Sequence, residues 1–270
     1  MLEDKTASDT STRIILSLVT LVLWTGVTFF GAQLLYPPEI SLDELISRNI
    51  AWHILFACIL LLLVIVWRGW RDMGFRHSRP GTLRLLWLPA VLIGVLLAGA
   101  ALLGLPSVGV IALLLANALL VGFSEEVMFR GILYRALLTR FSIWPAILMT
   151  TVGFGVVHVL NGLITGDFGA SMIQALTAAS TGILLIAILI RTGSIWTSII
   201  VHALWDWATF LLMLAAKAQA PVAGMEQTTE AASQSSFIGQ VVIPVAVVLP
   251  GLLYGLWLLR RVGGTERGSV

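Results

Sequence analysis

Between Arg13 and Pro37 the chain reads IILSLVTLVLWTGVTFFGAQLLY, residues Ile14–Tyr36, without a single acidic or basic side chain. About 20 consecutive apolar residues in helical form cross the hydrocarbon core of a bilayer, and this run exceeds that length. Its pattern has no period-two alternation, so it reads as helix and not as strand. Seven more apolar segments follow: Ile50–Trp67, Leu85–Leu105, Val108–Phe123, Ile143–Leu160, Met172–Ile190, Ile195–Ala216 and Phe237–Leu259. The expected fold class is therefore all-α, a polytopic membrane helical bundle of about eight transmembrane helices.

Composition supports that reading. Apolar residues make up 58% of the 270, charged residues only 11%, and mean hydropathy is +0.98. A soluble domain carries roughly a quarter charged residues, so water cannot be the solvent for most of this surface. The isoelectric point near 9.0 does not indicate nucleic acid, because the basic residues sit in short patches between apolar runs. The lone Cys58 cannot form an internal disulfide and carries no information about redox compartment. The polar, partly acidic N-terminus, with Glu3, Asp4, Lys5 and Asp9, differs from the basic leader of a cleaved signal peptide; it is expected to stay in the mature protein.

The same patches give an orientation. Arg68, Arg71, Arg76, Arg79 and Arg84 crowd the second link, Arg135 and Arg140 the fourth, and Arg191 the sixth. Arg260, Arg261 and Arg267 lie in the tail, and Lys5 and Arg13 precede the first span. The opposite side has only Arg48 and Lys217, a bias of thirteen to two with Arg130 left out. Eight spans then alternate without conflict and place both termini in the cytoplasm. The expected organisation is a cytoplasmic tail over 1–13, one transmembrane domain over 14–259, an external loop over 217–236 and a cytoplasmic tail over 260–270.

Most acidic residues lie in links or tails, but Glu125, Glu126 and Asp206 do not, and His158 and His202 lie deep inside apolar runs. Such groups are costly in lipid, face the bundle interior and mark function by default. The fourth and fifth segments form a hairpin turning near Phe141 and Ser142, and Glu125 lies as far before that turn as His158 lies after it. Equal rise per residue puts the two at one depth. His202 reaches that depth only if this hairpin projects further toward the cytoplasm. Glu126 and Arg130, four apart, share a helix face and can pair, whereas Glu125 points about 100° away. Phe154 can pack beside His158, and Asp206 is placed to hydrogen-bond His202.

Three spacings then stand in order: Glu125-Glu126-x-x-x-Arg130 within SEEVMFRG, Phe154-x-x-x-His158, and His202-x-x-x-Asp206. Together they resemble the CPBP family of intramembrane endopeptidases, the CAAX prenyl protease type II and bacteriocin-processing (Abi-like) proteins, over roughly residues 85–210. The resemblance implies an endopeptidase acting on a membrane-associated protein or peptide, prenylated or not, at the cytoplasmic side. Carried over by position, Glu125 and His158 activate a water, and His202 and Asp206 support the oxyanion, with Asp206 read as orienting His202. Glu126, Arg130 and Phe154 are read as the structural brace.

No cofactor is expected. The alternative is zinc held by Glu125, His158 and His202, although no H-E-x-x-H motif is present. Membrane lipid is an expected partner, nucleic acid is not, and the expected location is a bacterial or archaeal inner membrane. A non-catalytic membrane scaffold remains as a second reading, and a proton-coupled transporter as a third. His53 and His77 are set aside as interfacial, and Gly94 and Ala98 as ordinary helix contacts. Asn161 and Asp167 fall in an external link.

Overall fold

Inside a bilayer a backbone can satisfy its hydrogen bonds only within itself, so apolar runs of this length settle as helices. The computed structural model describes residues 2–36, 47–219 and 238–262. Among these, α1 spans Leu2–Leu35, α2 Trp52–Arg68, α3 Trp87–Leu103 and α4 Val108–Leu137. They are followed by α5 over Ile143–Val159, α6 over Phe168–Thr192, α7 over Ile195–Gln219 and α8 over Ile243–Leu259. Six of the eight lie in stretches long and apolar enough to cross a membrane, while α2 and α8 are shorter, at 17 residues each. The chain is an integral, multi-pass membrane protein.

Each helix falls on one of the apolar runs, with three differences. The charged run after Phe123 does not end α4; the helix continues to Leu137 through a π-helical stretch, Val127–Leu133. The expected 1–13 tail is helical from Leu2 and continuous with α1. Of the expected 217–236 loop, the first residues are still helix, since α7 runs to Gln219; the rest lies outside the described residues, as do 263–270 of the tail.

α6 is the central element, packed on α5, α7 and α8, while α7 also packs on α3 and α4, and α1 lies on α2. Glycine permits the closest of these approaches. A Cβ on Gly155 would stand 2.8 Å from the Ala175 carbonyl oxygen, one on Gly255 2.9 Å from the Leu184 backbone, and one on Gly122 3.0 Å from the Ile199 carbonyl oxygen. Gly94, expected to serve this purpose, meets nothing within 4 Å.

The two ends of the bundle are tied separately. At the arginine-rich end Arg13 pairs with Asp72 at 2.7 Å, Arg76 Nε donates to the Gly193 carbonyl at 2.7 Å, and Trp144 Nε1 donates to the Val262 carbonyl at 3.1 Å. At the arginine-poor end Tyr36 donates its hydroxyl to Ile50, Asn117 bridges Asn49 and the Ala51 amide, and Gln219 donates to Leu103. These contacts align the helix ends as the alternating order requires.

Candidate active site

Helix α4 delivers two adjacent carboxylates because nothing in SEEVMFRG stops the helix. Every residue of the π-helical stretch is buried, and such local widenings recur at functional sites. Glu126 and Arg130 sit on one face as their spacing requires, with Arg130 Nη1 3.0 Å from Glu126 Oε1 and both side chains fully buried. Arg130 Nη2 donates to the Gly182 carbonyl on α6 at 3.3 Å, and the guanidinium lies 4.1 Å from the centre of the Phe154 ring. A lone charge at this depth would be far more costly than this pair with its added contacts.

Phe154 does more than pack beside His158. Its ring meets Phe129, His158 and His202 edge-on, with centroids 5.1, 4.9 and 5.9 Å away. One aromatic thus holds Arg130 on one side and both imidazoles on the other, and α4, α5 and α7 are locked to a common depth around it.

Both histidines are fixed through Nδ1. His158 Nδ1 lies 2.7 Å from the Phe154 carbonyl oxygen; that oxygen can only accept, so Nδ1 carries the proton and Nε2 is left as an acceptor. His202 Nδ1 lies 2.9 Å from Glu126 Oε1. The hydrogen bond to His202 that the spacing offered to Asp206 is made by Glu126 instead. Asp206 Oδ2 stands on the other side of the ring, 3.5 Å from Nε2. The single-helix spacing made Asp206 the natural partner, and the contact across helices from Glu126 had no local signal.

Both Nε2 atoms converge on Glu125. Its Oε2 is 3.6 Å from His202 Nε2 and 4.0 Å from His158 Nε2, and it makes no hydrogen bond to the protein. The condition on the depth of His202 is therefore met. Glu125, His158, His202 and Asp206 all line one cavity of about 550 Å³. Glu125 and Asp206 keep 15% and 24% of their side-chain surface accessible, whereas Glu126 and Arg130 keep none, so only the first pair faces anything that enters.

Several lining residues had no motif to announce them. Trp24 of α1 donates its indole N–H to Ser124 at 2.8 Å and closes one wall. Asn161 and Gln174 join at 2.8 Å across the link between α5 and α6, and both line the cavity. His53, expected at the interface, is buried and lines the cavity with Tyr36. Asp167 instead caps α6, accepting from the Ala170 amide at 2.9 Å. A polar side chain such as Asn117 or Gln174 inside an apolar run was the available signal.

Among the described residues, no group of three or more His, Cys, Asp and Glu side chains is gathered so as to hold a metal ion. The zinc set considered from sequence, Glu125, His158 and His202, has suitable donors, with Glu125 Oε2 4.0 and 3.6 Å from the two Nε2 atoms. The cavity also runs from these residues toward Tyr36, Ala51 and Asn161, at the arginine-poor end.

Residues 106–208 match the family model for the Type II CAAX prenyl endopeptidase Rce1-like proteins. No curated protein and no solved structure matches the chain. The matched segment begins just before α4 and ends two residues after Asp206, so it carries all three spacings and the side chains of Glu125, Glu126, His158, His202 and Asp206. Over residues 106–208 the chain is thus similar to the Type II CAAX prenyl endopeptidase Rce1-like proteins, which supports a CAAX-type protease assignment.

Proposed function

We propose that the chain is a glutamate-dependent intramembrane endopeptidase that hydrolyses a peptide bond of a membrane-associated protein or peptide. The observation that carries this reading is the position of Glu125 Oε2, without a hydrogen-bond partner and facing both Nε2 atoms at 3.6 and 4.0 Å in the cavity. Those separations are too long for hydrogen bonds and suit groups that share a water. Two hydrogen bonds of about 2.8 Å meeting near a right angle span about 4 Å.

In this mechanism the water donates one hydrogen to Glu125 and the other to His158 Nε2. Its lone pair is thereby aimed at a peptide carbonyl. Glu125 takes the proton as the oxygen attacks. The oxyanion accepts from His202 Nε2. Because His202 Nδ1–H is committed to Glu126, Nε2 donates in the imidazolium form, with Glu126 and Asp206 supplying counter-charge. Glu125 then passes its proton to the leaving amine. Glu126 and Arg130 hold the ring and do not react.

The proposed reaction needs no metal. Purified protein and Glu125→Gln are incubated with reporter peptides, farnesylated C-terminal peptides among them, with and without a chelator. Cleavage is expected from the unaltered protein only, and unchanged by chelator. Equal cleavage by Glu125→Gln removes Glu125 from the mechanism, and loss with chelator that zinc restores replaces the metal-free reading with the zinc one.

A further inference from the structure

The link from Arg68 to Arg84 holds five arginines and one carboxylate, Asp72. Like charges so close in sequence repel one another unless each finds a partner. Two are engaged at the turn between α6 and α7. Arg76 Nε donates to the Gly193 carbonyl at 2.7 Å, and Arg79 Nη1 donates to the Ile190 carbonyl at 3.4 Å. Arg68 lies over the ring of Trp67, 5.3 Å from its centre. The carboxylate is committed to another helix: both its oxygens accept from Arg13 Nη2 of α1, at 2.8 and 2.7 Å.

A hollow of about 190 Å³ remains, lined by Arg71, Asp72, Gly74, Phe75, Arg76 and Arg135. Three guanidiniums border it, two from the link and one from α4, and its one acid is already paired with Arg13. Arg135 Nε is buried and makes no hydrogen bond. The frame of the hollow is fixed. Gly74, at φ 87°, turns the link, and its carbonyl accepts from the Ile195 amide at 2.9 Å. Guanidiniums gathered in this way suit a phosphate group, whose oxygens accept several N–H bonds at once.

The surroundings add an apolar half. Phe75, in the wall of the hollow, is exposed, and its ring centre lies 6.1 Å from that of Phe123 on α4 and 5.3 Å from that of Trp196 on α7. α4 ends and α7 begins at this end of the bundle, so both lead away from the hollow. Leu119 stands one turn beyond Phe123 and Ile200 one turn beyond Trp196, each on the same helix face. Leu119, Trp196 and Ile200 are exposed on the outside of the bundle, where a membrane helix meets lipid. A free ion would use only the hollow, whereas an amphiphile uses both parts.

We propose that the Arg71–Arg76–Arg135 hollow binds an anionic phospholipid, with its phosphate among the guanidiniums and an acyl chain along Phe75, Trp196 and Ile200. Basic pockets at the ends of membrane helices suit such headgroups. The lipid joins the arginine-rich link to α4 and α7, the helices that carry Glu125 and His202. The proposal does not depend on the protease reading.

Native mass spectrometry of the purified full chain tests it, with phosphatidylglycerol and phosphatidylcholine of one acyl length as probes. Retention of one phosphatidylglycerol is expected about tenfold more tightly than of phosphatidylcholine. Arg71→Gln and Arg135→Gln should each shrink that preference about fivefold. Arg71 is exposed, so its variant is expected to fold even if the Arg135 variant does not. Arg84→Gln, also exposed and at the same end but outside the hollow, should leave the preference intact. No preference for phosphatidylglycerol, a preference that Arg71→Gln leaves unchanged, or an equal loss with Arg84→Gln overturns the site.

Inorganic phosphate and Trp196→Ala distinguish a lipid from a free ion. Millimolar phosphate is expected to leave the bound lipid in place, and Trp196→Ala to weaken its retention. Displacement by phosphate, with Trp196→Ala silent, overturns the lipid assignment in favour of a free-anion site.

Discussion

At the residue scale, one carboxylate and one aromatic ring have separable tasks. Glu125 keeps an unbonded oxygen facing both imidazoles, so Glu125→Gln should fold normally and lose about 10²- to 10⁴-fold in cleavage rate, the usual share of a general base. Single-turnover cleavage with a thermal unfolding curve on the same preparation separates the two effects. Phe154 is 1% exposed and touches Arg130, His158 and His202. Truncation of a buried Phe typically costs about 3–5 kcal/mol, so Phe154→Ala should lower the unfolding midpoint in detergent and abolish activity together. A variant that lost activity with an unchanged midpoint would assign Phe154 to the reaction and not to the packing.

At the element scale, α4 and the glycine contacts carry the construction. Glu126 holds Arg130 at 3.0 Å and His202 at 2.9 Å with the same oxygen. Glu126→Ala therefore strands a buried guanidinium and frees a ring, and removing one partner of a buried pair costs about 3–5 kcal/mol. Destabilisation of that size in a denaturation series is the expected outcome; an unaltered midpoint would show that Gly182 and Phe154 are sufficient for Arg130. α5 and α6 approach so closely at Gly155 that an added Cβ would lie 2.8 Å from the Ala175 carbonyl oxygen and 3.0 Å from Ala179 Cβ. Gly155→Ala should cost about 1–3 kcal/mol by overpacking, whereas Gly94→Ala, with open space around it, should be neutral in the same assay.

At the scale of the whole molecule, the candidate residues stand between a cavity and a packed core. Glu125, His158, His202 and Asp206 line a cavity of about 550 Å³, and the residues of α4 that follow Glu126 are fully buried. The low charge content of the chain thus has a second consequence besides membrane residence. Field lines among Glu125, Glu126, Asp206, Arg130 and the two histidines are little screened, so each contact among them matters more than it would in water. Loosening that packed core should therefore harm catalysis from a distance. Met73→Ala, in the core away from the cavity lining, is expected to reduce cleavage through added water access, measured as a lower turnover number with little change in KM.

How much of this was legible in the chain itself differs by feature. The eight helices and the end that gathers the arginines follow from composition and the length of apolar runs, because lipid admits few backbone solutions. The pairing of Glu126 with Arg130 and the neighbourhood of Phe154 and His158 also follow, since both depend only on helical spacing. The tertiary structure alone decided that Glu126, and not Asp206, holds His202 at Nδ1, because that choice sets α4 against α7 and has no local spacing. It also decided that Gly155, Gly122 and Gly255 carry the close contacts, which depend on where helices cross. The cavity is the last such feature: residues of α1, α2, α4, α5, α6 and α7 line it together, and which helices meet is set by packing and by no local spacing.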